Sequence, residues 1–306
     1  MILTVTLNAA LDVTYEVPEV DWDGVNRVGA VHRRAGGKGV NVARVLAALG
    51  RPVLVTGLTG GSTGRAVEAD LRSAGLPGAM VPIAADSRTT VTVRDLTGRP
   101  VGTRTALFNE PGPEVTEDEL RNFVTTYEGL LAEARAVVLS GSLPRGVPAD
   151  TYARLAALAA AKGVPAIVDA DGEPLRHAPR GRPTIVKPNA EELARAVPHG
   201  TPEQGAQALL DQGAEAVVVS MGAAGLLAVT AEGTLRARMP YKVEGNPTGA
   251  GDSLVAGLAM GLVDASTWPE RLRGAAALGA AAVAAPVAGD FDRDVYAEIH
   301  PLIEIS

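Results

Sequence analysis

The chain has no cysteine in its 306 residues. Disulfides, thiolate catalysis and cysteine-ligated metals are therefore excluded. Aromatic residues make up only 3%, so a core has to be assembled from Ala, Val and Leu, with Trp22 and Trp268 read as packing residues. Histidine is scarce as well. His32, His177, His199 and His300 show no metal-ligand spacing and are given no catalytic role. Positive charge is in deficit: a formal net charge of −7 speaks against non-specific binding to nucleic acid, although a local group of arginines can hold a small anion. No uninterrupted apolar stretch is long enough to span a bilayer. The Ala-rich run from Gly274 to Ala288 is apolar but short, and it holds Pro286. The first residues, Met1 to Leu7, read as a strand with no basic region before it and no cleavage pattern after it. A soluble cytoplasmic protein is the expectation.

What is present is a rhythm. Short β-branched runs at Ile2–Leu7, Val53–Leu58, Ala136–Leu139, Ala166–Asp169, Thr184–Lys187 and Ala216–Ser220 read as buried parallel strands. Helical patterns at Gly39–Leu49, Thr63–Ala74, Thr151–Lys162 and Pro202–Gln212 lie between them, several closed by a glycine. This order predicts a single α/β domain over residues 1–306, with helices on both faces of a mostly parallel sheet. Two segments break the rhythm. Leu11–Arg34 alternates, and Thr89–Leu107 reads as a hairpin in which Thr90–Val93 pairs with Val101–Arg104. Together they predict a small β-sheet lid from about 12–34 and 88–108; an ordinary exposed hairpin fits the same pattern.

The strongest chemical signal is Asn246-Pro247-Thr248-Gly249-Ala250-Gly251-Asp252-Ser253, ahead of a helical run Leu254–Val263. Two glycines around one small residue expose backbone N–H groups at the positive end of a helix, which suits a phosphate or the charge of phosphoryl transfer. Asp252 sits beside that anion hole, where a carboxylate can take the proton of an attacking hydroxyl. Standing alone, such a loop also fits a glycine-rich turn with a capping Asp or Ser. The second signal is Ala35-Gly36-Gly37-Lys38-Gly39-Val40-Asn41. Gly37 lets the chain approach a ligand, Lys38 can meet a phosphate, and Asn41 offers a donor and an acceptor to sugar hydroxyls. His32 stands where a Walker A loop needs Gly.

These motifs, in this order, resemble the PfkB (ribokinase-like) carbohydrate kinase family. The resemblance covers nearly the whole chain. It takes in Thr6-Leu7-Asn8 with Leu11-Asp12, Gly57-Leu58-Thr59-Gly60-Gly61, Ser140-Gly141-Ser142-Leu143-Pro144, Lys187-Pro188-Asn189-Ala190-Glu191-Glu192 and Ser220-Met221-Gly222-Ala223-Ala224-Gly225. Asn109-Glu110-Pro111-Gly112-Pro113 and Pro286–Asp292 are similar to the 1-phosphofructokinase and tagatose-6-phosphate kinase branch.

The resemblance implies ATP-dependent phosphorylation of a sugar phosphate, with ATP and Mg²⁺ as cofactors. D-fructose 1-phosphate is the first choice of substrate; tagatose 6-phosphate and fructose 6-phosphate are the alternatives. It assigns sugar hydroxyls to Asp12, the substrate phosphate to Arg88, and further substrate contacts to Ser140 and Arg27. For Arg27 and Arg104 a plain surface role is equally expected. Lys187, Asn189, Ser220, Gly222 and Gly225 fall on the nucleotide side. Gly279 and Val283 can touch the adenine, although helix packing explains them as well. Asn189 and Glu192 lie three apart at a helix start and organise the Mg²⁺ shell, the alternative being an N-terminal cap. Three positions depart from the branch: Ala9 for Pro, Thr90 for Asn and Thr248 for Val. A nucleoside or vitamin kinase on the same scaffold, or an inactive sugar-phosphate sensor, are the readings of another class. A homodimer through the edge of the lid is also expected.

Overall fold

The computed structural model describes residues 1–97 and 104–306. Its strands are β1 (Ile2–Thr6), β2 (Ala10–Val17), β3 (Ala30–Gly36), β4 (Val53–Gly60), β5 (Gly78–Ile83), β6 (Arg88–Asp95), β7 (Arg104–Asn109), β8 (Ala136–Ser140), β9 (Ala166–Asp169), β10 (Ile185–Val186), β11 (Ala216–Ser220), β12 (Leu226–Thr230), β13 (Gly233–Arg238) and β14 (Glu304–Ile305). The helices are α1 (Lys38–Ala48), α2 (Gly61–Ser73), α3 (Glu117–Leu130), α4 (Thr151–Ala161), α5 (Gly172–His177), α6 (Ala190–Ala196), α7 (Pro202–Asp211), α8 (Ala250–Val263), α9 (Trp268–Ala284) and α10 (Arg293–Ile299).

Ten strands form one sheet in the order β14-β13-β12-β11-β10-β9-β8-β1-β4-β5. From β11 to β5 every neighbour is parallel, as the β-branched runs predict. Beyond β11 the sheet turns antiparallel through β12, β13 and β14, so the sheet is mixed at that edge. The six expected strands are all present; Thr184–Lys187 narrows to the two residues of β10.

The two faces of the sheet are filled differently. One face carries the fully buried aromatics Phe123 and Tyr127 of α3 and Tyr152 of α4. The other is covered by α1, α8 and α9 and is built of Ala, Val and Leu. Small residues suffice there because the helices approach closely. A Cβ on Gly257 of α8 would lie 2.6 Å from the Cα of Ala275 in α9. The Ala-rich run is thus a helix buried against its neighbour, and no described helix is long and apolar enough to cross a membrane.

The two alternating segments form a separate sheet in the order β3-β2-β6-β7. Its hairpin differs from the expected register. β6 pairs with β2 along eight residues, Arg88–Asp95. Thr90 then faces Asn109, and Asp95 faces Arg104. The expected partners Val101 to Thr103 lie outside the described residues. Trp22, expected to pack, is instead 67% exposed in the segment between β2 and β3.

Candidate active site

Parallel pairing brings the carboxyl ends of the central strands together, and the candidate residues come with them. Ser140 ends β8 and pairs in register with Asp169, which ends β9. Lys187 follows β10, its N–H donating to Val168 at 2.9 Å. These three join in one buried cluster. The ammonium of Lys187 lies 3.2 Å from Oδ1 of Asp169, and that of Lys38 lies 3.4 Å from the same oxygen. The hydroxyl of Ser140 donates to Oδ2 at 3.1 Å. Asp169 is fully buried. Burial alone would push its carboxyl up, but the two ammonium groups outweigh that and hold it below the usual carboxylate range. The Asp169 charge in turn raises Lys38 above the ordinary lysine value.

Gly249 takes φ of 86° as the residue before α8, a left-handed conformation that favours glycine. A Cβ there would also lie 2.8 Å from the Cα of Ala288. The first turn of α8 therefore begins at Ala250, whose N–H donates to the Pro247 carbonyl at 3.2 Å, and the N–H groups of Gly251 and Asp252 follow it in that turn. A Cβ on Gly251 would stand 3.6 Å from the ammonium of Lys187, so the glycine loop and this cation border the same space. Asp252 is 7% exposed, and Asn41 donates to its Oδ2 at 2.8 Å. Burial, then the charge of Asp169, pushes the Asp252 carboxyl up to about 7 against the pull of Lys38, Asn41 and Lys187. A carboxylate with that value is well matched to taking a proton near neutral pH.

A cavity of about 640 Å³ opens beside this cluster. Of the expected residues, Gly37, Lys38, Arg88, Ser140 and Glu192 line it. Arg88 is steadied by two backbone carbonyls, with Nε donating to Asn8 at 3.3 Å and Nη1 to Glu110 at 3.4 Å. Asp12 lies across the small sheet from Thr90, whose hydroxyl donates to its Oδ1. Gly36 leaves room for that carboxylate, since a Cβ there would stand 2.0 Å from Oδ2. Burial raises the Asp12 carboxyl, and Thr90 with the nearby arginines opposes the rise.

Asn189 and Glu192 form the capping box of α6. The Asn189 side chain accepts from the Glu192 N–H, and Oε2 of Glu192 accepts from the Asn189 N–H, each at 2.8 Å. The second oxygen of Glu192 lies 3.8 Å from Lys38 at the cavity wall. Among the described residues no group of three or more His, Asp or Glu side chains is arranged to hold a metal. One carboxylate oxygen fits a Mg²⁺ that keeps most of its waters.

Other expectations separate from the site. Gly279 is buried in α9, facing Leu254 and the Ala250 carbonyl of α8, so helix packing accounts for it. Gly225 is required by β13, because a Cβ would lie 1.9 Å from the Ala237 oxygen. Gly222, in contrast, faces open space, and Ser220 bridges in parallel to Asn189. The Val283 carbonyl accepts from the Asn246 N–H at 2.8 Å, anchoring the start of the glycine loop. Arg27 is exposed and does not line the cavity; Arg104 lines a different groove, on the small sheet. Sequence reasoning missed Asp169 and Asn8. A charged residue closing the otherwise apolar run Ala166–Val168 is the signal that marks Asp169.

The pfkB family carbohydrate kinase model matches residues 5–292. The chain belongs to the pfkB family of carbohydrate kinases. This kinase is 30% identical to Escherichia coli phosphofructokinase-2, solved in complex with potassium, over 98% of each chain with a TM-score of 0.89. A Thermotoga maritima protein described as a possible 1-phosphofructokinase is 26% identical over 100% of this chain and 99% of its own, with a TM-score of 0.88. Arabidopsis thaliana ribokinase, with 20% identity and a TM-score of 0.73 over 98% of each chain, shares the fold. The kinase thus has the ribokinase-like architecture, with the small sheet set apart from the main one.

Proposed function

We propose that this carbohydrate kinase phosphorylates a sugar that already carries a phosphate, D-fructose 1-phosphate foremost, to give fructose 1,6-bisphosphate. The observation that carries this reading is the pair of cations, Lys38 and Arg88, on the walls of one cavity. A guanidinium grips a phosphate through parallel hydrogen bonds, and an ammonium adds a compact charge. An unphosphorylated sugar needs neither. Asp252 takes the proton of the attacking hydroxyl. The N–H groups of Gly251 and Asp252, with Lys187 beside them, receive the negative charge that builds on the transferred group. ATP supplies the phosphoryl group, and Mg²⁺ screens its phosphates. Glu192 would hold such an ion, and Gly222 and Ser220 border the nucleotide. The small sheet acts as a lid that excludes water from the transfer.

Fructose 6-phosphate is the second reading. It is favoured by the 30% identity to E. coli phosphofructokinase-2, a protein also solved in complex with fructose-6-phosphate. A coupled assay over fructose 1-phosphate, fructose 6-phosphate and tagatose 6-phosphate, with product phosphate positions read by NMR, separates the readings. Preference for an unphosphorylated sugar or a nucleoside overturns the proposal.

Two copies associate through the small sheet. A groove of about 510 Å³ there is lined by Val17, Trp22, Val28 and Phe108, and Trp22 and Phe108 are 67% and 54% exposed. Apolar surface of this kind marks an association site. A monomer mass in solution at working concentration counts against it.

A further inference from the structure

The site contains a buried carboxylate that neither binds the sugar nor takes its proton. Asp169 lies at the carboxyl end of β9, deep in the central sheet, and is fully buried. A carboxylate there is expensive unless it is paired. It has three partners: Lys187 at 3.2 Å, Lys38 at 3.4 Å and the Ser140 hydroxyl at 3.1 Å. Both ammonium groups meet the same oxygen. They come from opposite sides of the site. Lys38 begins α1 and lines the acceptor cavity. Lys187 is 3% exposed and borders Gly251 of the glycine loop.

Two ammonium groups this close repel each other and would separate without a shared anion. Both also sit on long, flexible stems whose ordering costs entropy. We infer that Asp169 is a positioning residue whose buried carboxylate fixes the spacing of Lys38 and Lys187, so that Lys38 stands at the acceptor's own phosphate and Lys187 at the phosphoryl group in transit. This rests on the reading of the site as a phosphoryl-transfer centre. Asp169 touches neither substrate. It decides where the two cations stand, and a misplacement of about 1 Å in such groups costs on the order of 10²-fold in rate.

The same carboxylate acts on the base. Asp252 faces Asp169 from α8, with Lys38 and Asn41 of α1 and Lys187 after β10 around it. Replacing Asp169 by Asn removes a like charge from Asp252 and frees both lysines to pair with it. Both effects favour the ionised base, so they act in one direction.

The test uses the full chain and the acceptor that the coupled assay selects. Asp169→Asn is expected to lower kcat by about 10²-fold and to raise KM for both substrates. It should also move the acid limb of the kcat/KM profile down by at least about one pH unit. Asp169→Glu keeps the charge and should leave that limb near its wild-type position while raising both KM values. A purely structural role would reduce the amount of folded enzyme without moving the limb. A folded Asp169→Asn enzyme with the wild-type limb and wild-type KM values overturns the inference. The link is also read without touching Asp169. Because Lys38→Met and Lys187→Met act through one carboxylate, their combined loss in kcat/KM should fall about tenfold or more short of the product of the single losses. Simple multiplication of the two losses overturns the inference. A wild-type enzyme inactive on every sugar phosphate removes the functional reading first. An active wild type with an indifferent Asp169→Asn removes this inference alone.

Discussion

Asn41 donates a hydrogen bond from its side-chain amide to Oδ2 of Asp252 at 2.8 Å, joining the start of α1 to the first turn of α8. The residue expected to meet sugar hydroxyls therefore holds the residue expected to deprotonate one. The bond aims the carboxylate and favours its charged form. Asn41→Ala removes it, so the Asp252 carboxyl should rise further from about 7. The acid limb of kcat/KM should move up by about half a pH unit to one pH unit, as a pH–rate profile of the variant reads. An unmoved limb would show that the bond is incidental to the base.

Asp252→Asn should lower kcat by about 10²–10⁴-fold, the usual loss for a general base. Nucleotide binding, followed by calorimetry, should stay within a few-fold of wild type. Turnover of the wild type should rise with pH through about 7, because the base must be ionised to act.

The same substitution should stabilise the fold. The Asp252 carboxyl is raised in the folded state from 3.8 to about 7. Its contribution to stability is present at low pH and is lost as pH rises through that window. At pH 8 the ionised group costs on the order of 2–4 kcal/mol, since each tenfold change in proton affinity is worth about 1.4 kcal/mol. Asp252→Asn should therefore melt several degrees higher than wild type at pH 8, and the gap should close towards pH 4. A gap of the same size at both pH values would contradict the electrostatic account.

Gly249→Ala puts a Cβ where φ is 86° and where the Cα of Ala288 stands 2.8 Å away. Strain of about 1–3 kcal/mol is expected, together with a displaced glycine loop and a loss of turnover larger than the loss of thermal stability predicts. Paired melting curves and kcat measurements check this.

Arg88 lines the cavity beside the Asp169 cluster. Arg88→Ala should raise KM for the sugar phosphate by about 10-fold to 100-fold, in keeping with a lost charge-assisted hydrogen bond. KM for ATP should change little. Equal rises in both would move Arg88 out of the acceptor site.

Much of this protein is legible in its sequence for local reasons. Short apolar β-branched runs such as Ala136–Leu139 favour a buried strand, and a glycine closes several of the helices between them. Gly249 and Gly251 before Asp252 announce a helix start with free N–H groups whatever surrounds it. Asn189 and Glu192 announce a capping box, which is what they form.

Other features depend on which strand lies beside which, and no short stretch of sequence holds that information. Asp169 closes an apolar run, but its meaning comes from the order β8-β9-β10, which sets Ser140 and Lys187 on either side of it. The register of β6 and β7 was set by the long pairing of β6 with β2, not by the hairpin's own alternation. That Gly279 faces Leu254 and the Ala250 carbonyl is likewise a matter of how α8 and α9 pack. The amino-acid sequence determined the elements, the family and the reactive loop, because each rests on neighbours along the chain. The tertiary structure decided the charge cluster around Asp252, because electrostatic coupling depends on distance through space and on burial.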